Sequence, residues 1–136
     1  MKNVFFVIIS FVSLSVYAQE TAVLNLNKNA EVLSRALAED DDISKLTIEE
    51  NVYHFVVTRS SFKVYSSKAV SYSTKMSATI KMTVLDENKV DVIVEEYMYL
   101  NKGDKKHKHT WTTVKLNKDK KNTKQLYSFL EENYLN

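Results

Sequence analysis

Val70-Ser-Tyr-Ser-Thr-Lys-Met-Ser-Ala-Thr-Ile-Lys-Met-Thr-Val84 is the stretch that decides the fold. Its even positions carry Val70, Tyr72, Thr74, Met76, Ala78, Ile80, Met82 and Val84. Its odd positions carry Ser71, Ser73, Lys75, Ser77, Thr79, Lys81 and Thr83. Successive side chains of a strand point to opposite faces, so this alternation predicts one long strand with one face on a core and the other in water. Such a strand fits an antiparallel sheet covered on a single side.

The flanking segments extend that sheet. Asp86-Glu-Asn-Lys89 reads as a turn and Val90 to Leu100 as the antiparallel return. Val90, Val92 and Val94 share a face with Glu96, while Ile93, Tyr97 and Tyr99 lie on the other, so the apolar parity changes at Glu95-Glu96. A β-bulge there returns Tyr97 and Tyr99 to the core face; without it they sit on the open face. Upstream, Tyr53, Phe55 and Val57 alternate with Val52, His54 and Val56, which predicts a strand covered on both sides, bent or broken at Arg59-Ser-Ser61. Downstream, Asn101 to Lys106 is a loop holding the single glycine. His107 to Leu116 reads as a last strand, with His107, His109 and Trp111 on one face and Val114 and Leu116 on the other.

Helices are expected at the two ends. Thr21 to Asn27 is β-like. Ala30, Leu33 and Leu37, with Val32 and Ala36, then repeat at helical spacing behind an Asn27 or Asn29 N-cap. Glu39-Asp-Asp-Asp42 ends that helix, because carboxylates at a C-terminus oppose its macrodipole. Ile43, Leu46 and Ile48 tie a loop or short strand to the core. Asn122 and Gln125 resemble a capping box ahead of the stripe Leu126, Tyr127, Leu130 and Tyr134, with Phe129. The expected fold is α+β: an antiparallel sheet of four to five strands with two helices packed on one face, in the order β-α-β-β-β-β-α.

This order resembles a family of small exported bacterial domains of unknown function whose fold is like half of the TATA-box-binding protein. The resemblance rests on Val23 to Leu37, on the Met76 to Leu100 hairpin and on the Leu126 to Tyr134 helix; the loop from Asp40 to Asn51 departs most. It implies a TBP-like fold and brings no functional residue with it. The fold name does not imply DNA binding, because function resides in sites.

Composition narrows the classes of function. The chain has 136 residues, one Gly, no Pro, no Cys and three His. One glycine is too few for a P-loop or a dinucleotide-binding turn. The lack of cysteine excludes disulfide scaffolds, thiolate metal sites and cysteine nucleophiles. Met1-Lys-Asn3, the apolar run Val4 to Val12 and Val16-Tyr-Ala18 have the order of a secretory signal peptide, too short to span a bilayer. Cleavage is expected after Ala18, leaving residues 19–136 as a single domain, secreted or periplasmic and not membrane-spanning. Net charge is only +2, but residues 19–51 hold three basic and eight acidic groups, and residues 101–136 nine and four. That asymmetry argues against a globally basic, specific nucleic-acid binder and leaves room for a local basic patch.

The candidate sites are few. Tyr97, Tyr99, His109 and Trp111 would form an aromatic ligand-binding row if the last two strands are neighbours on an open face, able to stack on sugar rings or peptide side chains. The alternative is that they are core. Lys105, Lys106 and Lys108 form an electrostatic patch within the longer run Lys102, Lys118, Lys120, Lys121 and Lys124, without the arginine that bidentate phosphate readout needs. His107-x-His109 has strand spacing for two imidazole ligands of a metal-dependent hydrolase, with His54 or a carboxylate as third ligand. The surrounding lysines oppose a cation there. Glu95 and Glu96, adjacent on a strand, point to opposite faces unless a bulge intervenes. Glu39 to Asp42 lacks the spaced ligands and the glycine of a calcium loop. No cofactor is implied. The expected function is an exported, non-enzymatic binding domain recognising envelope polysaccharide or protein by a sheet face or edge strand; the alternatives are an inhibitor or protein-partner module and the hydrolase.

Overall fold

The computed structural model describes residues 20–65, 71–86, 88–101, 105–106, 108–114 and 120–136. The expected signal peptide and its cleavage site, His107, Gly103 and Leu116 lie outside the described residues. The element order is β1 (Glu20–Asn25), α1 (Ala30–Glu39), β2 (Ile43–Glu49), β3 (Val52–Tyr65), β4 (Ser71–Leu85), β5 (Lys89–Asn101), β6 (Thr110–Thr113) and α2 (Lys120–Leu130), closed by a π-helical turn (Glu131–Leu135). The class is α+β, as the patterning predicts. The sheet has six strands rather than four or five, because Ile43–Glu49 is a strand and not a loop.

All pairings are antiparallel and the spatial order is β1-β5-β4-β3-β2. β6 joins β5 on the edge that β1 also uses: β1 pairs with Lys89 to Val94 and β6 with Met98 to Asn101. Between these two stretches the β4–β5 register shifts, with Thr79 opposite Glu96 and Ile80 opposite Val94. Glu95 is the extra residue. Of the two arrangements that the parity change left open, the bulge is the one present, and it keeps Val90, Val92, Val94 and Tyr97 on one buried face. A second shift, between Arg59 and Phe62, bends β3 at Arg59-Ser-Ser61 without ending it; Ser61 takes a left-handed φ of 58°.

The core lies between that sheet face and the two helices. Phe55, Val57, Met76, Ile80, Met82, Val92 and Tyr97 from the strands are fully buried with Leu33 and Leu37 of α1 and Leu126 and Leu130 of α2, in one cluster. Asn29 caps α1, its side chain accepting from the Val32 N–H at 2.9 Å. Tyr53 docks α1 on β3, its hydroxyl 3.1 Å from Ser34 Oγ.

Asn122 is a correction. The helix already runs from Lys120, so Asn122 lies inside it and is no N-cap. Its buried amide accepts from the Tyr65 N–H at 2.9 Å and donates to the Tyr65 carbonyl at 2.8 Å, as a neighbouring strand would. The chain end is also built in. Tyr134 and Leu135 are buried, and the Asn27 N–H donates to the Leu135 carbonyl at 2.7 Å.

Candidate functional site

The face of the sheet opposite the helices carries the candidate site. Four registered rows cross it: Val23–Asp91–Thr83–Val52–Glu49, Thr21–Ile93–Lys81–His54–Thr47, Glu96–Thr79–Val56–Ser44 and Thr113–Met98–Ser77–Thr58. None of these residues is fully buried. Both helices bury their apolar stripes on the other side, so β3 is covered on one face only, against the expectation from Val52, His54 and Val56. The central strand lines the open face with hydroxyls and lysines, whereas the flanking strands add Val56, Ile93 and Met98, half-exposed to solvent.

The four aromatic candidates do not form one row. Directly opposed residues of antiparallel strands share a face. Trp111 pairs with Leu100, and Tyr99 pairs with Thr112. Tyr99 and Trp111 therefore point to opposite sides of the sheet. The bulge at Glu95 is the physical reason: it carries Tyr97 into the core, where it is fully buried, and packs Tyr99 against that core. Trp111 stays on the open face with 42 % of its surface exposed. His109 precedes β6 and is exposed.

Charge is distributed unevenly along the sheet. Lys75 lies one residue beyond the Met76–Tyr99 pair, which places it opposite Leu100, the partner of Trp111. Lys63 pairs with Ser73 in the neighbouring strand. Lys105, Lys106 and Lys108 follow the end of β5 and are exposed. The Nζ atoms of Lys63 and Lys121 each lie 5.6 Å from the Tyr65 ring centroid. The lysines and Trp111 thus occupy one end of the sheet; Glu49, Glu50, Asp86 and Asp91 occupy the other.

A polar pair that patterning missed sits mid-face. His54 Nε2 meets Glu95 Oε1 in a short contact across β4, with both side chains partly exposed. The bulge frees the Glu95 side chain to reach over the intervening strand. The parity change was the available signal for Glu95; nothing in the sequence pairs it with His54.

His54 is not a third ligand for His109. Its row is registered with Ile93, whereas His109 lies beyond the Asn101–Thr110 pair. The separation along the strand direction is roughly 25 Å at about 3.3 Å per residue. Among the described residues no group of three metal-ligating side chains comes together.

In the acidic run after α1, the Asp40 carboxylate is structural. Asp40 accepts from the Tyr134 hydroxyl at 2.8 Å and from the Asp42 N–H at 2.8 Å. Burial, then the hydrogen bond to Asp40 and the negative charges of Asp40 and Asp42, hold the Tyr134 phenol well above the ordinary tyrosine value, while Arg59 pulls it down. No helix among the described residues is long and apolar enough to cross a membrane. No family model, curated protein or solved structure matches this chain.

Proposed function

We propose that the chain is an exported, non-enzymatic binding domain that takes a cell-envelope polysaccharide on the open sheet face beside Trp111. The observation that carries the reading is a large aromatic, 42 % exposed, on a sheet face that neither helix covers. An indole offers a flat apolar surface for a sugar ring and an N–H for its hydroxyls. Ser77, Thr79, Thr83 and Lys81 extend from it a hydroxyl- and ammonium-bearing surface suited to a polyol. Lys75, Lys105, Lys106 and Lys108 bias the same end toward anionic groups on the polymer. Tyr97 takes no part, being core. The finer fold, a TBP-like β-α-β4-α domain, belongs to the same proposal and is supported by the strand order β1-β5-β4-β3-β2, with β2 to β5 as the four strands after α1; the short β6 is the one strand beyond that order.

The test uses the single tryptophan. Its emission should be red-shifted and quenched by iodide in the folded protein, and should change on titration with envelope polysaccharide fragments. Trp111→Ala should keep the far-UV circular dichroism of the parent and lose the binding, measured by calorimetry. A Trp111→Ala protein that binds as well as the parent sinks the proposal.

A further inference from the structure

We propose that β1 is the edge through which two copies of this chain pair antiparallel, joining their sheets into one. An exposed edge strand invites pairing with another chain, and folds blunt such edges with bulges, charges, short strands or covering side chains. β2 carries a register shift between Ser44 and Thr47, with Lys45 inside it at a φ of 54°, and ends in Glu49. The part of β3 that runs past β2 is bulged at Ser61 and closed at Tyr65 by the side-chain amide of Asn122. β6 is only four residues long.

Between Glu20 and Asn25, β1 has none of these devices; the C-terminal turn covers the edge only beyond it, where the Leu135 carbonyl accepts from the Asn27 N–H. The strand is six residues long, its register with β5 is unbroken, and its single charge, Glu20, stands at its first position. The Leu26 N–H donates toward β5, to the Asn88 carbonyl at 2.7 Å. Backbone groups alternate in direction along a strand, so Thr21, Val23 and Asn25 turn their N–H and C=O groups outward. These three residues are also the exposed ones on the strand, and Val23, at 58 %, is the most exposed large hydrophobic of the described chain.

The occupant that fits this edge is β1 of a second copy. A two-fold axis at Val23 pairs Val23 with its own counterpart and Thr21 with Asn25 in both directions. Each of these pairs then exchanges two backbone hydrogen bonds. No like charges are opposed, the exposed Val23 side chains cover one another on the open face, and the Ala22 and Leu24 side chains meet on the core side.

Sedimentation velocity and hydrogen exchange test this on the whole chain. A concentration-dependent dimer is expected, with the Thr21, Val23 and Asn25 amides protected in it and exchanging faster on dilution. Val23→Lys, a charge on an exposed position, should give a folded monomer. Ile93→Lys, on the same face but one strand inward, should leave the dimer intact. A chain that is monomeric throughout, including one that captures an extended peptide instead of itself, overturns the proposal. So does a dimer that survives Val23→Lys, and so does one lost equally in Ile93→Lys, since that outcome indicates face-to-face packing.

Discussion

A buried hydroxyl can hold an exposed-looking acidic run in place, and Tyr134 does so here. Its ring is packed against Phe129 at 5.9 Å between centroids, and its hydroxyl reaches Asp40 at the C-terminus of α1. The contact joins positions 94 residues apart, so no local pattern discloses it. Asn29, by contrast, was legible as one of two possible caps, with Asn27, because capping is local chemistry, three residues from donor to acceptor. Asn122 misled for the same reason in reverse: a capping-box spacing is local, whereas its partner Tyr65 is not. The Tyr134 contact carries a pH dependence whose sign is fixed. The folded phenol titrates above the unfolded one, so the stability it adds is complete below the unfolded tyrosine pKa of about 10 and drains away as pH rises above that value toward the folded one. Tyr134→Phe should cost about 1.5–3 kcal/mol at neutral pH, the net worth of a hydrogen bond to a charged group. Above pH ~10 the parent should lose stability more steeply than the variant. Urea unfolding at stepped pH measures both, and parallel slopes would exclude Tyr134 as the source.

β5 decides what the sheet presents, and its bulge is the element through which it does so. The alternation of β4 from Ser71 to Leu85 was readable in full because a one-sided strand writes its two faces directly into the sequence. The bulge was readable only as a conflict of parity at Glu95-Glu96. That conflict left the faces of Tyr97 and Tyr99 open until the register between Ile80 and Val94 was known. β2 was readable only as a loop or a short strand, because only Ile43 and Leu46 pack on the core and a bulge at Lys45 breaks its period. If Glu95 is the extra residue, its deletion leaves a regular strand with Val94 and Tyr97 still facing inward. Such a protein should fold, losing the bulge and the His54 contact at a cost of about 1 kcal/mol, the scale of one hydrogen bond. Deleting Ile93, a change of equal length, instead turns Val94 outward and drives Glu95 into the core. Burying that carboxylate costs several kcal/mol against a total stability of about 5–15, so this protein should be unfolded or nearly so. Thermal unfolding by circular dichroism separates the two. Equal melting temperatures would place the bulge elsewhere.

At the scale of the whole molecule, the charges at the two ends of the sheet differ in sign although the chain is nearly neutral. The sequence showed the imbalance between its N-terminal and C-terminal segments; the fold converts it into a spatial one, because β3, β4 and β5 deliver Lys63, Lys75 and the loop of Lys105, Lys106 and Lys108 to the same end. Exposed lysines act as mobile point charges, and their attraction for a polymer is summed over several groups and screened by salt over about 8–10 Å at physiological ionic strength. A polyanion should therefore be bound at one end of the molecule, in a salt-sensitive way, despite a net charge of only +2. The expected behaviour is retention on a polyanion column at low salt and elution at moderate salt. Replacing Lys105, Lys106 and Lys108 by Gln should abolish that retention with no change in melting temperature, since all three are exposed. Replacing Lys28, Lys45 and Lys89, which lie away from that end, removes the same formal charge. If the second triple variant loses retention equally, net charge governs the interaction; if it is retained while the first is not, recognition is local to the end of the sheet that holds Trp111.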